Sequence, residues 1–151
     1  MNNPTREIIE EFAYHYIFSE LTLPKSKQDI RHLDRLRDTY IKKLPFISLT
    51  SEAAKREFYI APLLLELLDY IPAEIDVEYP LDAGDNLSGT IDYFIKLASN
   101  FVIIEAQKGD LEKGFNQLAV EFIALDKSMD SPQSHLYGAV YFGGCLAFWF
   151  A

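Results

Sequence analysis

The chain holds a single cysteine, Cys145, so no internal disulfide can form, which fits a reducing, cytoplasmic setting. No apolar run reaches the ~18 residues that a membrane-crossing helix needs. The most apolar stretch, 139–151, is shorter and is broken by Gly143-Gly144. The first residues, Met-Asn-Asn-Pro-Thr-Arg-Glu, lack the basic-then-apolar order of a signal peptide, so none is expected. There is no glycine-rich phosphate loop, zinc-ligand spacing or nucleophile elbow. His15, His32 and His135 are scattered without ligand spacing. Basic residues are scarce, with 14 Lys+Arg against 23 Asp+Glu and a net charge of −9. The deficit lies late in the chain: residues 1–72 hold 10 against 11, and residues 73–151 hold 4 against 12. Such a balance opposes binding to nucleic acid unless cations offset it.

What is present is the material of one globular domain. At 151 residues with 49% apolar content, the chain is long enough to bury a core without cross-links. Asn3-Pro4 starts a helix whose face is Ile8, Ile9, Phe12, Ala13, Tyr16 and Ile17. A second, highly charged helix is expected over 27–44. A third runs from Glu52 to about Tyr70, capped by Thr50 or Ser51 and kinked or split by Pro62. Strands follow over 74–79, 87–97 and 101–106, then a helix over 111–127 capped by Asp110, then a hairpin of 136–142 and 145–150. This order predicts an α/β fold, a mixed sheet flanked by helices, with 1–49 as a helical extension and 50–151 as the core.

Two acids stand out. Asp92 is the single acid in an otherwise apolar strand, and Glu105 follows directly on Val102-Ile103-Ile104. An unpaired carboxylate in a buried strand costs several kcal/mol or protonates. The two-residue period of a strand puts Glu105 and Gln107 on one face, and Ala106 and Lys108 on the other. If Asp92 lies level with Glu105 on the neighbouring strand, the two charges repel by about 4 kcal/mol at ~4 Å and an effective dielectric of about 20. A Mg²⁺ or Mn²⁺ ion, which prefers oxygen ligands, would remove that cost. It would also polarise a phosphate oxygen and acidify a bound water.

The pattern Asp92, then Glu105-Ala106-Gln107 on the next strand, then Asp110-Leu111-Glu112-Lys113-Gly114-Phe115-Asn116-Gln117, resembles the PD-(D/E)xK nuclease superfamily. It is most similar to small bacterial relatives of the type I restriction enzyme R-subunit N-terminal domain. Ser51-Glu52-Ala53-Ala54-Lys55-Arg56 with Ile60-Ala61-Pro62 resembles that group's first helix, and Tyr137-Gly138-Ala139-Val140 its later strand. The likeness spans about 50–142. It implies a restriction-endonuclease-like fold and Mg²⁺-dependent hydrolysis of DNA. It also implies that Asp92 and Glu105 are metal ligands with Glu52 as a third, and that Gln117 is a helix residue near the scissile group. Three positions depart from the pattern. Glu121 stands four residues after Gln117, where related nucleases carry a tyrosine. Ile91 stands where a proline is usual. Gln107 stands where a lysine would supply positive charge, with Lys108 next to it but facing away unless the strand bulges.

Each of these residues has a plainer reading. Asp92 and Glu105 could be solvated strand ends, Lys108 a turn residue, Glu52 a first-turn acid favoured by the helix dipole, and Gln117 a surface amide. The basic stripe Lys27, Arg31 and Arg35 is interleaved with Asp29, Asp34 and Asp38, as in a salt-bridged, solvated face. Three functions follow in order: a DNA nuclease, an inactive nuclease-fold module that binds nucleic acid or protein, and a domain whose apolar C-terminal hairpin forms a homodimer.

Overall fold

The computed structural model describes residues 4–17, 19–20, 22, 25–28, 30–31, 33–84, 87–98, 100–107, 109–129, 135–142 and 145–150, without the side chains of 142 and 145–150. Asn3, Lys108 and the Gly143-Gly144 turn therefore lie outside the described residues. The chain divides into two compact units, one of Met1–His15 with Ala73–Ala151, the other Tyr16–Pro72. The division falls at 15/16 and 72/73, whereas the sequence suggested one boundary at 49/50. Among the described residues no helix is long and apolar enough to cross a membrane.

The first unit is a mixed sheet packed by helices. Strands β1 (Glu74–Asp82), β2 (Ser88–Lys96) and β3 (Phe101–Gln107) form an antiparallel meander. Helix α5 (Leu111–Ser128) then carries the chain back so that β4 (Leu136–Phe142) lies parallel to β3. β5 (Cys145–Phe150) closes antiparallel to β4, and the order is β1-β2-β3-β4-β5. A parallel pair needs such a crossover, and a helix supplies it with an apolar face to lay on the sheet. β1 is an edge strand, which is why it can contain Pro80, a residue without a ladder donor. α5 starts as its sequence dictates, with the Asp110 carboxylate accepting from the Lys113 N–H at 3.0 Å. Its stripe of Leu118, Phe122 and Leu125 meets Ile91 and Ile103 of the sheet and Val140 of β4 in one core.

Helix α1 (Pro4–Glu11) packs on α5. It is shorter than its apolar pattern suggested. Ala13 takes a left-handed φ of 65°. The Ala13 N–H returns to Glu10 O and the Tyr14 N–H to Ile9 O, a capping turn that satisfies the last carbonyls and stops the helix before Tyr16 and Ile17. Two side-chain bonds fasten this segment: Thr5 Oγ1 donates to Asn116 Oδ1 and the Tyr14 hydroxyl to Asp126 Oδ2, each at 2.5 Å. Burial, then the Asp126 bond and charge, push the Tyr14 hydroxyl up to about 12.

The second unit is helical. α2 (Asp34–Asp38) runs into a π turn at Thr39–Lys43 and a 3₁₀ turn at Leu44–Phe46. Of the helix expected from residue 27, Asp29 and His32 lie outside the described residues, 27–28, 30–31 and 33 are not helical, and α2 begins at 34, since the charged stripe offers little apolar surface to pack and propensity alone is weak. α3 (Glu52–Lys55) is capped by Ser51 Oγ, which accepts from the Ala54 N–H at 3.0 Å. A π turn at Arg56–Ile60 separates it from α4 (Ala61–Leu67). The break is the effect of Pro62 in the first turn of α4: it has no N–H, its ring crowds the preceding turn, and the backbone widens upstream.

Gly114 and Gly138 set how closely α5 approaches the sheet. A Cβ at Gly138 would meet Leu118 Cδ2 and Phe122 Cζ at 2.7 Å. One at Gly114 would meet Val140 Cγ1 at 2.6 Å and Gln107 Cγ at 2.7 Å. Gly114→Ala is therefore expected to destabilise by about 1–3 kcal/mol through overpacking, despite alanine's better helix propensity. The comparison is Gly89→Ala, whose added carbon meets nothing within 4 Å and should leave the urea midpoint unchanged or raised.

Candidate functional site

The β2–β3 ladder starts at Lys96 opposite Phe101 and stops at Tyr93 opposite Ile104. The next pair is Asp92 and Glu105, and here side chains replace the ladder. The Asp92 N–H donates to Glu105 Oε1 at 2.9 Å, and the Ala106 N–H donates to Asp92 Oδ2 at 2.9 Å. Each carboxylate thus satisfies a main-chain donor from the other strand. On the other side of β2, the β1 ladder passes from Val77–Tyr93 to Tyr79–Ile91 and omits the pair of Glu78 with Asp92. Glu78 has φ 53°, a left-handed conformation that costs a non-glycine residue about 1–2 kcal/mol. Both ladders are therefore interrupted at Asp92.

Helix α5 brings the remaining groups. Gly114 lets its first turns close on Gln107 and β4, and Gln117 and Glu121, four residues apart, face Glu105. Gln117 Nε2 donates to Glu105 Oε2 at 2.7 Å and to Glu121 Oε1 at 3.0 Å. Gln117 Oε1 accepts from Gln107 Nε2 at 3.0 Å. Glu105 is 1% exposed, Glu121 4% and Gln107 5%, so three polar side chains are out of water together. Asp92 is half-buried.

Burial raises the Glu105 carboxyl well above the usual carboxylate range. Repulsion from Glu121 and then Asp92 adds to this, against the bond from the Asp92 N–H. Glu121 is raised as well, by burial first, with its bonds to Gln117 and Glu105 opposing. The donors that reach Glu105, a main-chain N–H and an amide, are neutral. A bond between the two carboxyls requires a proton on one of them, and without it Glu121 Oε2 is buried with no partner. The donor set is all oxygen and suits a hard cation. As the chain stands, no group of three His, Cys, Asp or Glu side chains among the described residues is placed to hold a metal ion.

Of the residues singled out from the sequence, Asp92, Glu105, Gln107 and Gln117 form one connected cluster. Glu52 is exposed in the first turn of α3, in the unit of residues 16–72. Lys108 lies outside the described residues. Glu121 was noted as a departure from the pattern but not assigned to the site. Its signal was present, however: it is a lone acid within Leu118-Ala119-Val120-Glu121-Phe122-Ile123-Ala124-Leu125, the feature that marked Asp92, but at helical spacing from Gln117. Compared with protein-family models, curated proteins and solved structures, the chain matches none significantly.

The raised carboxyls make a pH prediction. A carboxyl raised in the folded state favours folding most below its unfolded value of 4.5, and that contribution is lost as pH climbs through the raised folded values. In chelator, the melting temperature should therefore fall from about pH 5 up to about pH 10, the raised value of Glu105. Glu121→Gln should flatten that fall, as measured by circular dichroism at each pH.

Proposed function

We propose that the chain is a metal-dependent phosphodiesterase with a restriction-endonuclease-like fold, acting on DNA. The observation that carries this reading is the reciprocal capture of Asp92 and Glu105 where the β2–β3 ladder ends, with a second buried carboxylate, Glu121, beside them. The donor set fits Mg²⁺ or Mn²⁺, because it is composed of oxygens and gathers more negative charge than its neutral hydrogen-bond donors offset. Asp92 and Glu105 would hold the ion, which supplies Lewis-acid polarisation of a phosphate oxygen and a more acidic bound water.

The chain's own groups divide the remaining work. The main-chain N–H groups of Asp92 and Ala106 keep the two carboxylates oriented, so little reorganisation is needed when substrate arrives. Gln107 can orient a water through its amide but brings no positive charge to the reacting phosphate. Gln117 holds Gln107 and Glu105 in register with each other. The acidic balance of residues 73–151 means that cations must offset the repulsion between this unit and a polyanion.

One observation favours a second reading, a nuclease-fold module that binds nucleic acid or protein without cutting. Gln107 is neutral, 5% exposed and bonded to Gln117, so the position where the resembling family carries lysine is held inside the hydrogen-bond network. The two readings separate on cleavage. Incubated with plasmid or single-stranded DNA in Mg²⁺ or Mn²⁺, the wild-type chain should cut, and Glu105→Ala should lower the rate on the order of 10²-fold or more. Salt-sensitive DNA binding without cleavage would select the binding module. In that case Gln107→Lys is expected to raise cleavage above the wild-type background. A calorimetric titration with Mn²⁺ that shows no heat for the folded wild-type chain rules out the metal-dependent reading.

A further inference from the structure

Glu121 belongs to α5, yet it is 4% exposed and flanked in sequence by Val120 and Phe122. A helix that only had to cover the sheet would carry an apolar residue there, since a buried acid without a charged partner opposes folding. Its Oε1 accepts from Gln117 Nε2, and its Oε2 is buried and has no partner unless one of the two carboxyls carries a proton. The Gln117 amide has two N–H donors, and both are committed, one to Glu105 and one to Glu121. The direction of that amide is set from its other end, where Oε1 accepts from Gln107 Nε2. An uncharged NH₂ group thus bridges two buried carboxyl groups, which is the position a cation would take. With both acids ionised it leaves Glu121 Oε2 unsatisfied.

We infer that Glu121 is a third acidic residue of the cation site, and that the Gln117 amide is a latch holding Glu105 and Glu121 together until the cation takes over that role. The inference rests on the metal-dependent reading above and deepens it. Among the described residues no three acids are placed for an ion as the chain stands, and the amide spans two of them. Gln107 then has a positioning role, since its bond to Gln117 Oε1 keeps the amide's donors, rather than its oxygen, turned towards the carboxylates.

The test is Mn²⁺ titrated into the metal-free full-length chain, followed by calorimetry and by thermal unfolding with and without the ion. Wild type, Asp92→Ala, Glu121→Gln, Gln117→Ala and the exposed control Glu112→Gln are compared. Glu121→Gln should weaken Mn²⁺ affinity about tenfold or more and lose most of the Mn²⁺-induced rise in melting temperature, without lowering the metal-free value. Gln117→Ala should lower the metal-free melting temperature and leave the affinity equal or tighter, because the competing amide is gone. Glu112→Gln should behave as wild type. Should the glutamine variant not fold, Glu121→Asp, which keeps the charge and withdraws it by one methylene, is expected to weaken affinity likewise. Wild-type affinity in the folded Glu121 variants overturns the inference, as does loss of binding in Gln117→Ala, which would make Gln117 a ligand. If wild type binds Mn²⁺ and Asp92→Ala abolishes it while the Glu121 variants bind normally, this inference alone fails. If wild type does not bind, the metal-dependent reading fails and takes this inference with it.

Discussion

Glu105 has to be reconciled with a site almost free of water, and much of the sheet unit can be understood as the means of doing so. A carboxylate 1% exposed must be protonated or compensated. The chain compensates it in three ways at once. One oxygen takes the Asp92 N–H, the other takes the Gln117 amide, and the surplus charge is met by a raised proton affinity shared with Glu121. None of these partners is local in sequence. Asp92 requires that β2 and β3 stop pairing at this level, and Gln117 and Glu121 require that α5 lie close above β3. The interrupted ladders, the left-handed Glu78 and the glycine contacts are therefore parts of one local arrangement.

The close approach of α5 depends on two residues with no side chain. At Gly114 and Gly138 the space a Cβ would fill is taken by Val140, Gln107, Leu118 and Phe122. The apolar stripe of α5 and its polar stripe of Gln117 and Glu121 come down on the sheet together. The same packing that buries Leu118 also desolvates Glu121. Stability and the properties of the acids are thus coupled through helix–sheet distance, and a change that lifts α5 would let water in and return the carboxyls towards their ordinary range.

Much of the sheet unit was legible in the sequence because its signals are local. Alternation and apolar runs marked the strands, Asp110 marked the start of α5, and Asp92 and Glu105 were conspicuous as acids in apolar company. Legibility failed where the outcome is decided at a distance. The stretch from residue 27 had helical spacing of charge but too little apolar surface, and only packing could have selected its length. α1 ended early because Ala13 adopts a left-handed turn, which no propensity marks. Glu121 was passed over because a helix tolerates acids on its solvent face, and only the sheet beneath decides which face that is. The two-unit division depends on which segments pack together, and composition does not record that.

The sheet unit is written discontinuously: α1 precedes residues 16–72, and everything else follows them. In polymer terms that segment is a loop with both ends pinned, one through the Thr5–Asn116 and Tyr14–Asp126 bonds and the other by the β1 ladder. The entropy of closing such a loop grows only logarithmically, by about 0.6 kcal/mol for each doubling of its length. Lengthening or shortening that segment would therefore change its closure entropy only slightly, provided that the two pins hold.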